Sequence, residues 1–88
     1  MLNIKNYRKS KNLTQDRVAE LSNVHRTYIC KFEANIIKPN INKLIDIYRA
    51  MGANDNEIID WILDDIADEF NKKGINVGSL FYTIRNTQ

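Results

Sequence analysis

Residues 14–33 read Thr-Gln-Asp-Arg-Val-Ala-Glu-Leu-Ser-Asn-Val-His-Arg-Thr-Tyr-Ile-Cys-Lys-Phe-Glu, and this stretch decides the fold. Thr14 is suited to cap a helix, and Val18, Ala19 and Ser22 follow at helical spacing. Asn23 stands where a tight turn needs a residue tolerant of positive φ, and Val24 turns back toward a core. A second helix is expected from His25, with Ile29 and Phe32 inward and Arg26, Thr27, Cys30 and Lys31 outward. Two short helices across one turn make a helix-turn-helix over 14–34. The major groove of duplex DNA admits such a second helix, and Arg, Lys and Thr carry donors that match base edges there. The pattern therefore implies sequence-specific DNA binding as well as a fold.

On the N-terminal side, a first helix is expected over 4–11, capped by Asn3, with Ile4, Tyr7 and Arg8 on its inner side and Leu13 anchoring the link. On the other side, Asn35 stands where a helix commonly ends in the left-handed region. Residues 35–40 form a loop closed by Pro39. Asn40 then caps a fourth helix over 41–51, whose apolar stripe is Ile41, Leu44, Ile45, Tyr48 and Met51, and Gly52 ends it. Asn54 and Glu57 form a capping pair for a fifth helix over about 55–72, with acids in its first turn and Lys72 and Lys73 at its close before Gly74. Its expected inner face is Ile58, Ile59, Ile62, Ile66 and Phe70, with Trp61 and Leu63 at the edges. Asp60, Asp64, Asp65, Asp68 and Glu69 face outward.

That apolar arc is wider than a four-helix core requires. Either one part of this helix caps the core and the rest is simply helix, or, the preferred reading, the surplus around Trp61, Ile62, Ile66 and Phe70, together with Phe81 in the tail, pairs with a second copy of the chain. Residues 1–73 are accordingly read as one DNA-binding domain and 74–88 as a short tail serving as a dimerisation arm. Within that tail Leu80-Phe81-Tyr82-Thr83-Ile84 has strand composition, while Ser79 suits a short helix equally well. A strand there needs a partner, such as the same tail of another subunit.

Composition narrows the function class. The 88 residues suit a single domain with a modest core. No run approaches the ~18 apolar residues of a membrane span, and the N-terminus lacks signal-peptide character, so a cytoplasmic location is expected. A lone cysteine, Cys30, fits a reducing compartment, and one histidine with one cysteine is too little for a structural zinc site. No phosphate-binding glycine loop is present, so neither metal nor cofactor is expected. Charge is divided: residues 1–52 carry ten Lys/Arg and four Asp/Glu, residues 53–88 three and seven. The basic part coincides with the helix-turn-helix, as an electrostatic footprint for DNA should.

From Ile4 to Gly52 the chain resembles the Xre/Cro/C1-type helix-turn-helix regulators of bacteria and their phages. The resemblance is carried by Arg8, Leu13-Thr14-Gln15, Val18-Ala19, Asn23-Val24, Tyr28-Ile29, Phe32-Glu33, Pro39 and Leu44. It implies an all-α, compact five-helix, lambda-repressor-like domain that binds operator DNA as a homodimer, and a transcriptional repressor working at the bacterial nucleoid. The chain departs from the family at Asn23 and Asn35, where glycine is frequent, and at His25, where Ser or Thr is usual. His25-Arg26-Thr27-Tyr28-Ile29 is similar to the recognition helix of restriction–modification controller proteins.

Within this frame Arg26, Thr27 and Lys31 are the expected base readers, with phosphate contact the alternative for Lys31. Cys30 lies among them, either as a small residue in contact with the groove or as a redox-sensitive thiol. The resemblance assigns Gln15 to a phosphate. His25 and Tyr28, at the helix edge, are expected on phosphates too, Tyr28 alternatively as partly core. Lys38, Asn40 and Lys43 either reach the backbone of the same strand or stay solvated. The resemblance also pairs Arg8 with Glu33 across the core, a structural role. Competing functions are an antitoxin or controller protein that holds a protein partner through its acidic C-terminal region, and a protein-binding adaptor of the same fold. Enzyme chemistry is the weakest reading, because His25 has no nucleophile or carboxylate near it in sequence.

Overall fold

Local hydrogen-bonding chemistry sets both ends of every helix in the computed structural model, which describes residues 3–76. The elements are α1 (Ile4–Ser10), α2 (Gln15–Ser22), α3 (Arg26–Glu33), α4 (Ile41–Ala50) and α5 (Asp55–Lys72). Each opens on a residue whose side chain accepts a backbone N–H of the first turn: Asn3, Thr14, His25, Asn40 and Asn54. These acceptors satisfy donors that a helix start otherwise leaves unpaired. At Asn54 the bond is reciprocal, since Glu57 accepts from the Asn54 N–H at 3.1 Å.

The closures repeat one motif. Asn12, Asn23, Asn35, Gly52 and Gly74 all have φ between 57° and 86°. In each case the next residue, Leu13, Val24, Ile36, Ala53 or Ile75, donates its N–H to the carbonyl five positions back, at 2.9–3.2 Å. This is the Schellman closure, in which a left-handed residue lets the chain turn back and satisfy a helix-end carbonyl. Asn23 and Asn35 behave as the sequence predicts, and Asn12 is a third asparagine in the same conformation. The termini differ from expectation by a residue: His25 is a cap rather than the first helical residue of α3, and Met51 caps α4.

The core forms where α2 packs on α3 and α4, and α5 lies across α4. Val18, Ile29, Ile47 and Met51 are fully buried there, joined by Ile4, Ala19, Leu44, Tyr48 and Ile58. Two apolar stripes are corrected. On α4 the expected Ile41 is 52% exposed while Ile47 has no exposure. Ile47 lies three residues after Leu44 and four before Met51, so the buried face is rotated toward it. On α5 the expected inner residues Ile59 and Phe70 are 51% and 40% exposed. The side turned to the core is instead Ile58 with Trp61 and Ile62.

Trp61, expected at the edge of that helix, is committed to its own core. It meets Tyr7 and Tyr48 edge-on with ring centroids 5.0 and 5.1 Å away, a geometry that aromatic quadrupoles favour. At ~1.5 Å per residue α5 is about 27 Å long and α4 about 15 Å, and the second half of α5 reaches the segment before α4, where Asp65 and Ile66 line a cleft with Lys38 and Pro39. No described helix is long and apolar enough to cross a membrane. The strand-or-helix reading of 79–84, and Phe81 with it, lies outside the described residues.

Candidate nucleic-acid interface

The interface is built on α3, whose two sides differ sharply. Ile29 is fully buried, and Phe32 and Tyr28 are partly buried against the core. Arg26, Thr27, Cys30 and Lys31 all lie on the exposed side. The four expected groove residues thus share one face, and Tyr28 takes the partly core position that was its alternative.

The start of α3 is fixed by His25. Its Nδ1 accepts the Thr27 N–H at 3.1 Å and lies 3.0 Å from Thr27 Oγ1. A ring nitrogen that accepts carries no proton, so in the neutral ring the proton sits on Nε2, where it is a donor. This answers how the helix is capped in the absence of Ser or Thr. The Thr27 hydroxyl is turned back toward the cap, which leaves its methyl as the group for an apolar base contact. Arg26 Nε is 3.5 Å from Asp16 Oδ1 in the first turn of α2, with both side chains more than 60% exposed. Ion pairs this exposed are weak, and the guanidinium remains available to a groove.

The far end of α3 is held by Glu33. Arg8 donates through Nε to Glu33 Oε2 at 2.6 Å and through Nη2 to Oε1 at 3.2 Å, while its Nη1 donates to the Leu13 carbonyl at 2.7 Å. The side chains of the pair are 9% and 4% exposed. Burial pushes the Glu33 carboxyl up, but hydrogen bonds from Arg8 and Gln15 and the charges of Arg8 and Lys5 outweigh it, so Glu33 lies below the ordinary glutamate value.

Gln15, expected to face a phosphate, directs its Nε2 to Glu33 Oε1 at 3.0 Å. An amide nitrogen carries two protons, so this bond orients the group and leaves a second N–H to donate. No local pattern signals this bond, because 18 residues separate the partners.

The polar and basic residues beyond α3 are placed less simply. Asn40 Oδ1 is engaged as the α4 cap, accepting the Lys43 N–H at 2.9 Å. Lys43 is partly buried at the start of α4. Lys38, read as either reaching a phosphate or staying solvated, is ion-paired with Glu69 of α5, Nζ to Oε1 at 2.9 Å. The acidic helix therefore reaches the basic face at this point, which the division of charge along the chain did not foretell.

A helix-turn-helix family model matches residues 4–58, well over half of the chain. The chain belongs to the Cro/C1-type helix-turn-helix family of DNA-binding transcription regulators. It is similar to the control protein C.SmaI of Serratia marcescens, with 35% identity over 52 residues. That alignment spans 59% of this chain and 62% of the length of C.SmaI. No solved structure matches the chain.

Proposed function

We propose that the chain regulates transcription by binding an inverted-repeat operator as a two-fold dimer, with α3 in the major groove. The observation that carries this reading is the single exposed face of α3, set by a cap at one end and a buried ion pair at the other. Arg26 and Lys31 point to guanine O6 and N7, the Thr27 methyl to thymine, and Cys30 to van der Waals contact between them. Gln15 and His25 each retain an N–H for a phosphate, and Lys38 and Lys43 supply charge beside it.

One helix covers only a few base pairs, so selectivity calls for two copies spaced by one DNA turn, about 34 Å. The surface of α5 that its own core leaves uncovered supports such a dimer. Ile59 and Phe70 are exposed, and Leu63 and Ile66 are partly buried. Their spacing of four, three and four residues is that of a coiled-coil seam. Antiparallel pairing along this seam brings Lys72 and Lys73 of one copy near Glu57 and Asp60 of the other, whereas parallel pairing aligns like charges. Ile66 and Phe70 keep the dimer role that the sequence suggests, and Ile59 and Leu63 join them. Trp61 and Ile62 serve the chain's own core.

A repressor is the leading reading, and the similarity to a control protein supports a second: a controller whose site lies beside a restriction-enzyme gene. Footprinting the purified protein on the DNA flanking its own gene tests both. Protection of an inverted repeat is expected, and the neighbouring gene separates the two readings. Absence of any protected repeat there overturns the self-flanking operator.

A further inference from the structure

We infer that Glu69 competes with DNA phosphate for Lys38, making the acidic end of α5 an internal brake on the DNA-binding face. The inference rests on Lys38 being a phosphate contact, as proposed above. A carboxylate and a phosphate offer an ammonium the same kind of anionic oxygen. The Lys38 Nζ donates to Glu69 Oε1 at 2.9 Å, across 31 residues of sequence. The ammonium has three N–H donors, so this bond does not exhaust it. The bond does hold Nζ against α5 and set a negative charge beside the place a phosphate would take, so phosphate binds best once it is given up.

Two features make the contact exchangeable. Both side chains are more than half exposed, at 58% and 51%, so neither is locked in place. Glu69 also has a second cation, Lys72 Nζ at 3.7 Å from the same oxygen. When Lys38 leaves for DNA, Lys72 stays with the carboxylate, so no uncompensated charge is created. The neighbouring carboxyl of Asp65 lines the same cleft as Lys38, together with Pro39, Ile62 and Ile66. Lys38 therefore faces a pair of acids from α5, of which Glu69 is in direct contact. Glu69 itself sits between Ile66 and Phe70 on the outer part of α5, which links the brake to the helix that carries the proposed dimer seam.

The test is a double-mutant cycle on the full chain: wild type, Lys38→Gln, Glu69→Gln and the two together, with Asp68→Asn as a control of equal charge change. Affinity for a short labelled duplex of arbitrary sequence is measured by anisotropy at low salt. Glu69→Gln is expected to tighten binding by about two- to fivefold, the size of an exposed ion pair, and the gain should shrink as salt screens it. In the Lys38→Gln background the same change should have no effect, and Asp68→Asn should do much less. A gain that persists without Lys38, or an equal gain from Asp68→Asn, overturns the brake in favour of general charge repulsion. If Lys38→Gln weakens binding but Glu69→Gln is inert, the competition fails and the phosphate contact stands. If Lys38→Gln leaves affinity unchanged, the contact itself fails and the brake with it.

Discussion

Glu33 binds three helices together, taking Arg8 from α1 and Gln15 from α2 while standing at the end of α3. Its worth lies in leaving no buried charge unpaired. Arg8→Ala should cost about 3–5 kcal/mol, because a buried carboxylate then loses its main partner. Urea unfolding measures the loss, and a change below about 1 kcal/mol would show that the pair is dispensable. The same residue gives the fold an acid limit. Its pKa is lowered from 4.5 by folding, so its contribution is complete above that value and disappears as pH falls through the lower folded value. Thermal midpoints followed downward from neutral pH should drop in this range, and by less in Glu33→Gln. At the exposed end of α3, Arg26→Ala should weaken operator binding by about 1–3 kcal/mol and relax preference at one base pair. An unchanged ratio of specific to non-specific affinity would contradict the groove assignment. The sequence pointed to Arg26 by pattern and to the Arg8–Glu33 pair by family resemblance, but it could not show that Glu33 also holds Gln15.

Helix ends were the most legible elements, since caps and closures involve residues three to five apart. Thr14, Asn23, Asn40 and the Asn54–Glu57 pair could all be read in advance. His25 was not, because imidazole is an uncommon cap and its role depends on which ring nitrogen accepts. His25→Ala should destabilise α3 by on the order of 1 kcal/mol, and His25→Ser should restore most of it. Equal loss in both variants, measured by thermal unfolding, would mean that His25 contributes by something other than capping. Faces were harder to assign than ends. On α5 almost every turn carries an apolar residue, so periodicity alone admits several inward faces. The contacts of Trp61 with Tyr7 and Tyr48 select Ile58, Trp61 and Ile62. Burial and the nearby Asp65 charge push the Tyr48 phenol up to about 12, in keeping with its buried place in this junction.

At the scale of the whole molecule, assembly and charge act together. Ile59→Asp with Phe70→Asp should leave the monomer folded, since both side chains are at least 40% exposed, but abolish dimers. Sedimentation measures the mass, and a dimer that survives both changes would move the interface elsewhere. DNA binding should carry a steep salt slope, falling by about 0.9 for each lysine removed from a phosphate contact, Lys43 being the direct test. Asp64→Asn with Asp68→Asn should leave that slope nearly unchanged, because the slope counts phosphates neutralised by Lys and Arg. A marked change would mean that these two acids also face the duplex. Asp65 and Glu69 belong outside that comparison, because they stand against Lys38.

Local sequence was enough for the five helices, the caps at Asn3, Thr14, Asn40 and Asn54, the left-handed turns at Asn23 and Asn35 and the outward set on α3, because each depends on a few neighbouring residues and on helical period. Tertiary structure decided what spacing cannot encode. It set which side of α5 meets the core, how Glu33 gathers Arg8 and Gln15, and that Glu69 crosses 31 residues to Lys38. Those outcomes depend on how helices lie against one another, and local pattern carries no information about that distance.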